Sequence, residues 1–194
     1  MTLYLVRHGR ALAGVEHLDP GLDAVGESQA RHVATALRGR GATRLVCSPL
    51  RRTRETAQPI ADALSLVPEI HDAVAEVFDA SMTSGARSAM LGPFLSGVWS
   101  QQPPALQAWR ERVLAALLEL GQDKTIVVSH FVAISAAIGA STEDDRVSPC
   151  ALANASITTL EVSGGKLVLR KPGEVAHLPQ NEITATHAVI PGRR

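Results

Sequence analysis

The sequence predicts an α/β protein, because short apolar segments typical of strands alternate with segments that have the apolar spacing of helices. Residues 3–6 are all apolar or aromatic, as in a strand that is buried on both faces. Polar residues follow this strand directly at Arg7 and His8, and the same order recurs at Ser129 and His130 after a strand-like segment at residues 124–128 that ends in three apolar residues. Since ligands bind at the carboxyl ends of parallel strands, these residues mark a candidate site.

Composition indicates one globular domain over residues 1–194, with 45% hydrophobic and 20% charged residues. The formal net charge of +0 argues against nucleic acid or an anionic membrane as a partner. Cys47 and Cys150 lack the spacing of metal ligands and indicate buried thiols in a reducing compartment. No signal peptide or membrane-spanning run is evident, so we expect a cytoplasmic location. The sequence indicates no particular oligomeric state.

The first helix is predicted to follow a loop that ends near Gly21. Asp23 is a suitable N-cap, and glycines at positions 39 and 41 are expected to end the helix. Its buried face is predicted from apolar residues at helical spacing, namely Ala30, Val33, Ala34 and Leu37. His32 lies off this face and is expected to be solvated.

A second strand at residues 44–47 leads into a second helix, with Ser48 as the expected N-cap and Pro49 at the first helical position. This order places a helix N-terminus, which favours anions, at the carboxyl edge of the sheet. Arg52 in the first turn can reach such an anion, although a cation there opposes the helix dipole. Its neighbours Arg51 and Arg54 are expected to be solvated.

A short third strand at residues 67–71 precedes an irregular insertion over about residues 72–102, which we interpret as a lid or substrate loop. Its aromatic residues Phe78, Phe94 and Trp99 are expected to be exposed. Glu76 lies near its start in an apolar context, where a raised pKa would suit a proton donor. A surface glutamate is the alternative interpretation.

The second half predicts a helix, a strand, a buried helix and a hairpin, over residues 103–121, 124–128, 131–138 and 154–169. A Gly-Gly turn at positions 164 and 165 supports the hairpin. The remaining tail, residues 171–194, is expected to be irregular, with solvated histidines at positions 177 and 187. On its position alone, His130 is either a structural histidine or a site residue.

Four stretches together resemble the histidine phosphatase superfamily, in its phosphoglycerate-mutase-like branch. They are LVRHG at 5–9, LDAVGESQA at 22–30, SPLRRTRETA at 48–57 and VVSH at 127–130, with a weaker fifth, NASIT, at 154–158. The resemblance implies a three-layer α/β/α sandwich with a mostly parallel sheet and helices on both faces. It also implies that His8 is phosphorylated transiently in a pocket formed with Arg7, Arg52 and His130, and that Glu76 matches the proton donor.

The chemistry of phosphoryl transfer is consistent with these residues, because it depends mainly on positioning and on neutralising charge. Arg7, Arg52 and a protonated or donating His130 can hold the phosphate oxygens while His8 attacks phosphorus. The other ring nitrogen of His8 must donate to a carbonyl to fix the tautomer. Glu76 can protonate the leaving group, and no metal or other cofactor is required.

Two residues that follow the histidines complete the predicted phosphate-binding set. Gly9 lets the backbone pass close to a ligand. Phe131, where the family usually has glycine, either narrows the pocket, stacks on a substrate or packs in the core. The predicted function is a metal-independent phosphatase, a phosphoric monoester hydrolase acting on small phosphorylated molecules.

Two alternatives remain open because the chain departs from the family pattern at several positions. Ala11 stands where the family commonly has Thr or Ser, and Gly14 where the mutases have an asparagine. The glycine- and tryptophan-containing signature that often follows the acid is absent after Val77. The alternatives are a phosphotransferase of the mutase type and a catalytically weak protein that binds phosphorylated ligands.

Overall fold

The computed structural model describes residues 1–12, 18–78 and 83–184, and within these ranges six strands form one sheet. Their order across the sheet is β3-β2-β4-β1-β5-β6. The strands are β1 (Thr2–Arg7), β2 (Arg44–Cys47), β3 (Pro68–Ile70), β4 (Thr125–Ser129), β5 (Ile157–Ser163) and β6 (Lys166–Glu174). The first four run parallel, whereas β5 is antiparallel to β1 and β6 is antiparallel to β5.

Helices cover both faces of this sheet, which confirms the predicted α/β/α sandwich. They are α1 (Ala24–Leu37), α2 (Arg51–Leu64), α3 (Ser84–Leu95), α4 (Pro104–Leu120) and α5 (Phe131–Thr142). Alternation along β1 separates two apolar cores, because Leu5 packs with α4 and α5 whereas Val6 packs with α1 and α2. The sheet is therefore buried between two layers, and polar groups collect at its edge.

The start of α1 agrees with the sequence prediction. Asp23 caps the helix by accepting a hydrogen bond from Gly26 N at 2.8 Å, and the helix ends at Leu37. Two glycines bring α1 against the loop after β1, since a Cβ on Gly9 would lie 2.5 Å from the carbonyl oxygen of Gly26. This close approach fixes the loop that carries His8.

The insertion differs from the sequence prediction. It contains the helix α3, although residues 72–102 were expected to be irregular. Phe94 and Trp99 are buried rather than exposed, and Phe78 is partly buried against the same core. The aromatic rings pack in series, with ring centroids 5.5 Å apart for Phe78 and Phe94 and 5.6 Å apart for Phe94 and Trp99. Helix α3 lets apolar rings that looked solvent-exposed in the sequence cover one another.

Element ends also differ in three places. Helix α2 begins at Arg51, so neither Ser48 nor Pro49 has its predicted helical role. Helix α5 continues to Thr142 because it is buried along most of its length. Strand β6 extends to Glu174, so the start of the predicted irregular tail is paired with β5, and a short 3-10 turn follows at Gln180–Glu182.

None of the helices within the described residues is both long and apolar enough to cross a lipid bilayer. The position of Gly14 lies outside the described residues, as does His187.

Candidate active site

The carboxyl ends of three neighbouring strands bring the predicted residues together. Strand β4 lies between β2 and β1, so the segments that follow these strands meet at one edge. Arg7 and His8 come from β1, Arg52 from the first turn of α2 after β2, and His130 from the end of β4. All four side chains are buried, with exposed fractions of 8% or less. Arg51 and Arg54 are exposed, as the sequence predicts.

Arg52 connects the two imidazole rings. Its Nε donates to His8 Nε2 at 3.2 Å, and its Nη2 donates to His130 Nδ1, also at 3.2 Å. The ring centroids of the two histidines are 5.2 Å apart. Because a guanidinium has only donors, both imidazole nitrogens facing Arg52 act as acceptors.

The opposite ring nitrogens therefore carry the protons. Nδ1 of His8 donates to the carbonyl oxygen of Gly9 at 2.7 Å, which is the carbonyl contact expected for a nucleophilic His8. Nε2 of His130 donates to Ser48 Oγ at 2.8 Å. His8 thus presents the Nε2 lone pair that a nucleophile needs.

Arg7 is held among backbone, aromatic and charged groups. Its Nη1 donates to the carbonyl oxygen of Leu152, and its Cζ lies 5.3 Å from the ring centroid of Phe131. Burial lowers the pKa of Arg7 to about 10, and the charge of Arg52 adds to this, while the charge of Glu76 opposes it. Phe131 is buried in the core and stacks on the guanidinium from the first residue of α5.

Glu76 lies at the same edge of the sheet. The 3-10 turn Asp72–Val74 before it is fastened to β4, because Ser129 Oγ donates to the carbonyl oxygen of Val74 at 2.7 Å. Glu76 is half-buried, and its Oε1 accepts a hydrogen bond from Val77 N at 2.9 Å. The charge of Glu76 raises the pKa of Arg7, so the carboxyl is near enough to act on this guanidinium electrostatically.

Three supporting residues were not assigned a site role from the sequence. Ser48 accepts from both His130 and Leu50 N, instead of capping α2. Thr56 Oγ1 accepts from Gly9 N at 3.0 Å, and Asn154 Nδ2 donates to the carbonyl oxygen of His8 at 3.2 Å. All three lie inside the family-like stretches, which was the available signal, but their partners are distant in sequence.

The N-terminus of α2 holds an anion from the protein itself. Both carboxylate oxygens of Asp19 accept from Arg51 N at 3.0 Å, and Oδ1 lies 3.8 Å from Arg52 Nη1. The expected anion position at this helix start is therefore occupied by a carboxylate. Over the described ranges, no group of three or more His, Cys, Asp or Glu residues is arranged to hold a metal ion.

Comparisons with known proteins agree with this geometry. The family model of the histidine phosphatase superfamily (branch 1) matches residues 3–174. A probable phosphoglycerate mutase GpmB from Yersinia enterocolitica is 28% identical, over 92% of this chain and 95% of the relative. A phosphoserine phosphatase mutant from Entamoeba histolytica, solved with phosphoserine, is 26% identical with a TM-score of 0.72, over 92% of this chain and 99% of that one. A mycobacterial glucosyl-3-phosphoglycerate phosphatase solved with inorganic phosphate shares the fold at 21% identity, with a TM-score of 0.69 over 92% and 99% of the two chains.

Proposed function

This chain belongs to the histidine phosphatase superfamily, and we propose that it hydrolyses small phosphate monoesters, without a metal ion, through a phosphohistidine on His8. One observation carries the proposal: Arg52 donates to both buried imidazoles, so the lone pair of His8 is on Nε2, where a substrate phosphorus takes the place of the Arg52 donor. A nucleophile and fixed cationic donors are the groups that phosphoryl transfer requires.

In the first step, Nε2 of His8 attacks phosphorus while the bond between phosphorus and the ester oxygen breaks. Arg7 and Arg52 hold the non-bridging oxygens, and His130 joins them when it takes up a proton on Nδ1. Glu76 gives its proton to the leaving oxygen. The products of this step are the free alcohol and phosphorylated His8.

In the second step, a water molecule attacks phosphorus and the bond between phosphorus and Nε2 breaks. The carboxylate of Glu76 takes the proton from the water, so it is ready to act as an acid again. Inorganic phosphate leaves, and His8 regains its lone pair. The carbonyl oxygen of Gly9 accepts the hydrogen bond from Nδ1 of His8 throughout both steps, and this bond holds the tautomer.

The proposed substrates are small phosphorylated metabolites, and phosphoserine is the first to test because the 26% identical neighbour binds it. In this proposal residues 72–102 act as the cap that selects the substrate within a single domain. Phe131 acts on the phosphate through Arg7, on which it stacks. We also propose a cytoplasmic location, where such substrates and the free thiols of Cys47 and Cys150 are compatible.

A phosphotransferase of the mutase type is the second candidate, favoured by relatives with the name of a probable phosphoglycerate mutase. It differs from a phosphatase because phosphorylated His8 must be protected from water until a second acceptor binds. Exchange of phosphate between positions of a sugar acid, faster than hydrolysis, would establish it.

The test is phosphate release from a panel of monoesters in the presence of EDTA, with the wild type, His8→Ala and the surface control His32→Ala. We expect activity in the wild type and the control, and its loss in His8→Ala by at least about a thousandfold. Labelled phosphoenzyme, isolated at alkaline pH, should form only when His8 is present. Equal activity in His8→Ala and wild type would show that His8 is not the nucleophile, and silence of both would favour a binding role.

A further inference from the structure

The backbone around His8 is held by a network of hydrogen bonds that extends to residues 180–184, which we call the C-terminal segment. His8 and Gly9 share one peptide group, and Gly9 and Arg10 share the next. Each group is planar, so fixing one end of it orients the other end. All four polar ends of these two peptide groups have hydrogen-bond partners.

The peptide group between Gly9 and Arg10 supports the His8 tautomer from the Nδ1 side, while Arg52 donates to the opposite nitrogen. The carbonyl oxygen of this peptide group accepts the Nδ1 hydrogen of His8 at 2.7 Å, and its N–H donates to Gln29 Oε1 at 2.8 Å. Gln29 is fully buried on α1. Gln29 therefore orients the carbonyl that keeps the proton on Nδ1.

The amide of Gln29 is itself oriented by the C-terminal segment. Its Nε2 donates to the carbonyl oxygen of Glu182 at 2.6 Å and to Thr184 Oγ1 at 2.9 Å. Because both acceptors, the Glu182 carbonyl oxygen and Thr184 Oγ1, lie on the Nε2 side of the amide, Oε1 faces Arg10 N. A flipped amide would place donors against the Arg10 N–H and an acceptor against two acceptors, which is costly in a buried site.

Thr184 also supports the peptide group between His8 and Gly9, through Asn154. Its hydroxyl donates to Asn154 Oδ1 at 3.3 Å, and Asn154 Nδ2 donates to the carbonyl oxygen of His8 at 3.2 Å. The donors and acceptors are thus consistent from Gln29 through Thr184 to Asn154. The Thr184 hydroxyl thus contacts both Gln29 and Asn154, the side chains that hold the peptide groups on either side of Gly9.

We propose that Gln29 and Thr184 are positioning residues, which keep His8 as the Nδ1–H tautomer by fixing the peptide group between Gly9 and Arg10. This inference rests on the proposed function, since it explains how His8 keeps the Nε2 lone pair that attacks phosphorus. It extends the functional unit to Thr184, whereas the family match ends at residue 174.

The test uses Thr184→Val, which removes the hydroxyl at nearly constant volume. The backbone bond from Asn154 N to the Thr184 carbonyl oxygen, 3.2 Å long, is retained, so the segment can stay docked. Thr184→Ser is the rescue variant. Ser28→Ala is the matched control, because Ser28 Oγ donates to Glu182 Oε1 on the same segment but has no link to the His8 loop. Gln29→Met removes the amide of the other positioning residue and tests the same network of hydrogen bonds, which we call the relay.

The first readout is the tautomer of His8, measured by 15N–1H correlation spectra of histidine-labelled protein and assigned by comparison with His8→Ala. We expect Nδ1–H in the wild type, and a second, Nε2–H signal in Thr184→Val and Gln29→Met. The second readout is kinetic: kcat should fall about tenfold to a hundredfold with KM within about twofold, because only the attacking group is disturbed. Thr184→Ser should restore both.

An unchanged tautomer and kcat in Thr184→Val and Gln29→Met would overturn the inference. So would equal changes in Ser28→Ala, which would indicate docking of the segment alone. If the tautomer shifts as expected but the wild type hydrolyses no monoester, the relay stands and the proposed function falls. If the wild type is active and the variants leave tautomer and kcat unchanged, only the relay falls.

Discussion

The proposed phosphate pocket and the described part of the insertion at residues 72–102 are held by different forces. The pocket consists of charged and polar side chains fixed by hydrogen bonds, most of them to backbone or to one another. The insertion is held by aromatic packing, which ends in a stacked pair, Trp99 and Trp109, with centroids 6.0 Å apart. Hydrogen bonds have directional requirements, whereas apolar contacts tolerate rearrangement. The difference suggests that the pocket fixes the chemistry and the insertion can vary with the substrate.

The largest expected effect comes from removing the bidentate contact in the pocket. In Arg52→Lys the ammonium is a single point of donation, so it cannot replace the planar fork that contacts both imidazoles in the structure and would hold the phosphate oxygens in the reaction. We expect kcat/KM to fall about a thousandfold, or about 4 kcal/mol in the barrier. The exposed Arg54→Lys on the same helix is the matched control. A loss below tenfold in Arg52→Lys would show that charge alone is sufficient and that the directions of the hydrogen bonds in the pocket matter little.

The next effect should appear in stability rather than in chemistry. Trp99 is 1% exposed at the centre of the aromatic cluster, so Trp99→Ala should lower the free energy of unfolding by about 3 to 4 kcal/mol. Urea denaturation measures this, and the half-buried Trp109→Ala should cost less. Turnover of an aryl phosphate per folded molecule should stay near the wild-type value. A loss of turnover as large as in Arg52→Lys would mean that the two regions do not act separately.

Glu76 joins the two regions, and its contribution should depend on the leaving group. Glu76→Gln should slow hydrolysis of an alkyl phosphate about a hundredfold, because an alkoxide must be protonated as it leaves. An aryl phosphate with an acidic phenol needs no such help and should be affected far less. Glu111→Gln, exposed on α4, is the control. Equal losses on both substrates would assign Glu76 an electrostatic role toward Arg7 instead.

The smallest effect concerns the pH dependence of the pocket. Burial lowers the pKa of Arg7 to about 10, so Arg7 is cationic at neutral pH and loses its charge as the pH rises through that value. Phosphate binding should weaken in step, with kcat/KM falling about tenfold per pH unit above this point. Kinetics from pH 8 upward, with circular dichroism to confirm the fold, test this. A profile flat to pH 11 would show that Arg7 keeps its charge and that burial does not lower its pKa to about 10.

Much of the fold could be predicted because it depends on local patterns. Apolar runs at residues 3–6 and 126–128 indicated strands that the structure contains, and Asp23 is the predicted cap of α1. The four principal pocket residues could be predicted because the resemblance to the histidine phosphatase superfamily implies them, and each lies at or after the end of a strand. The prediction for Ser48 was wrong, because a hydroxyl that fits a helix cap is equally suited to a distant imidazole.

The insertion was less predictable because its structure depends on contacts between distant residues. Phe94 and Trp99 carry no periodic signal, and their burial follows from α3 folding back on the core. The same limit applies to Thr184, whose partners Gln29 and Asn154 are 155 and 30 positions away. Sequence spacing does not show which polar groups will be adjacent.

The sequence by itself determined the α/β class, the edge of the sheet where the site lies, and the types of residue that form it. These follow from periodicity and from the order of strand and helix, which are local properties of the chain. Only the tertiary structure decided the tautomers of His8 and His130, the burial that lowers the pKa of Arg7, and the support from the C-terminal segment. Each of these depends on distances between groups far apart in the chain, which are set only when the layers pack.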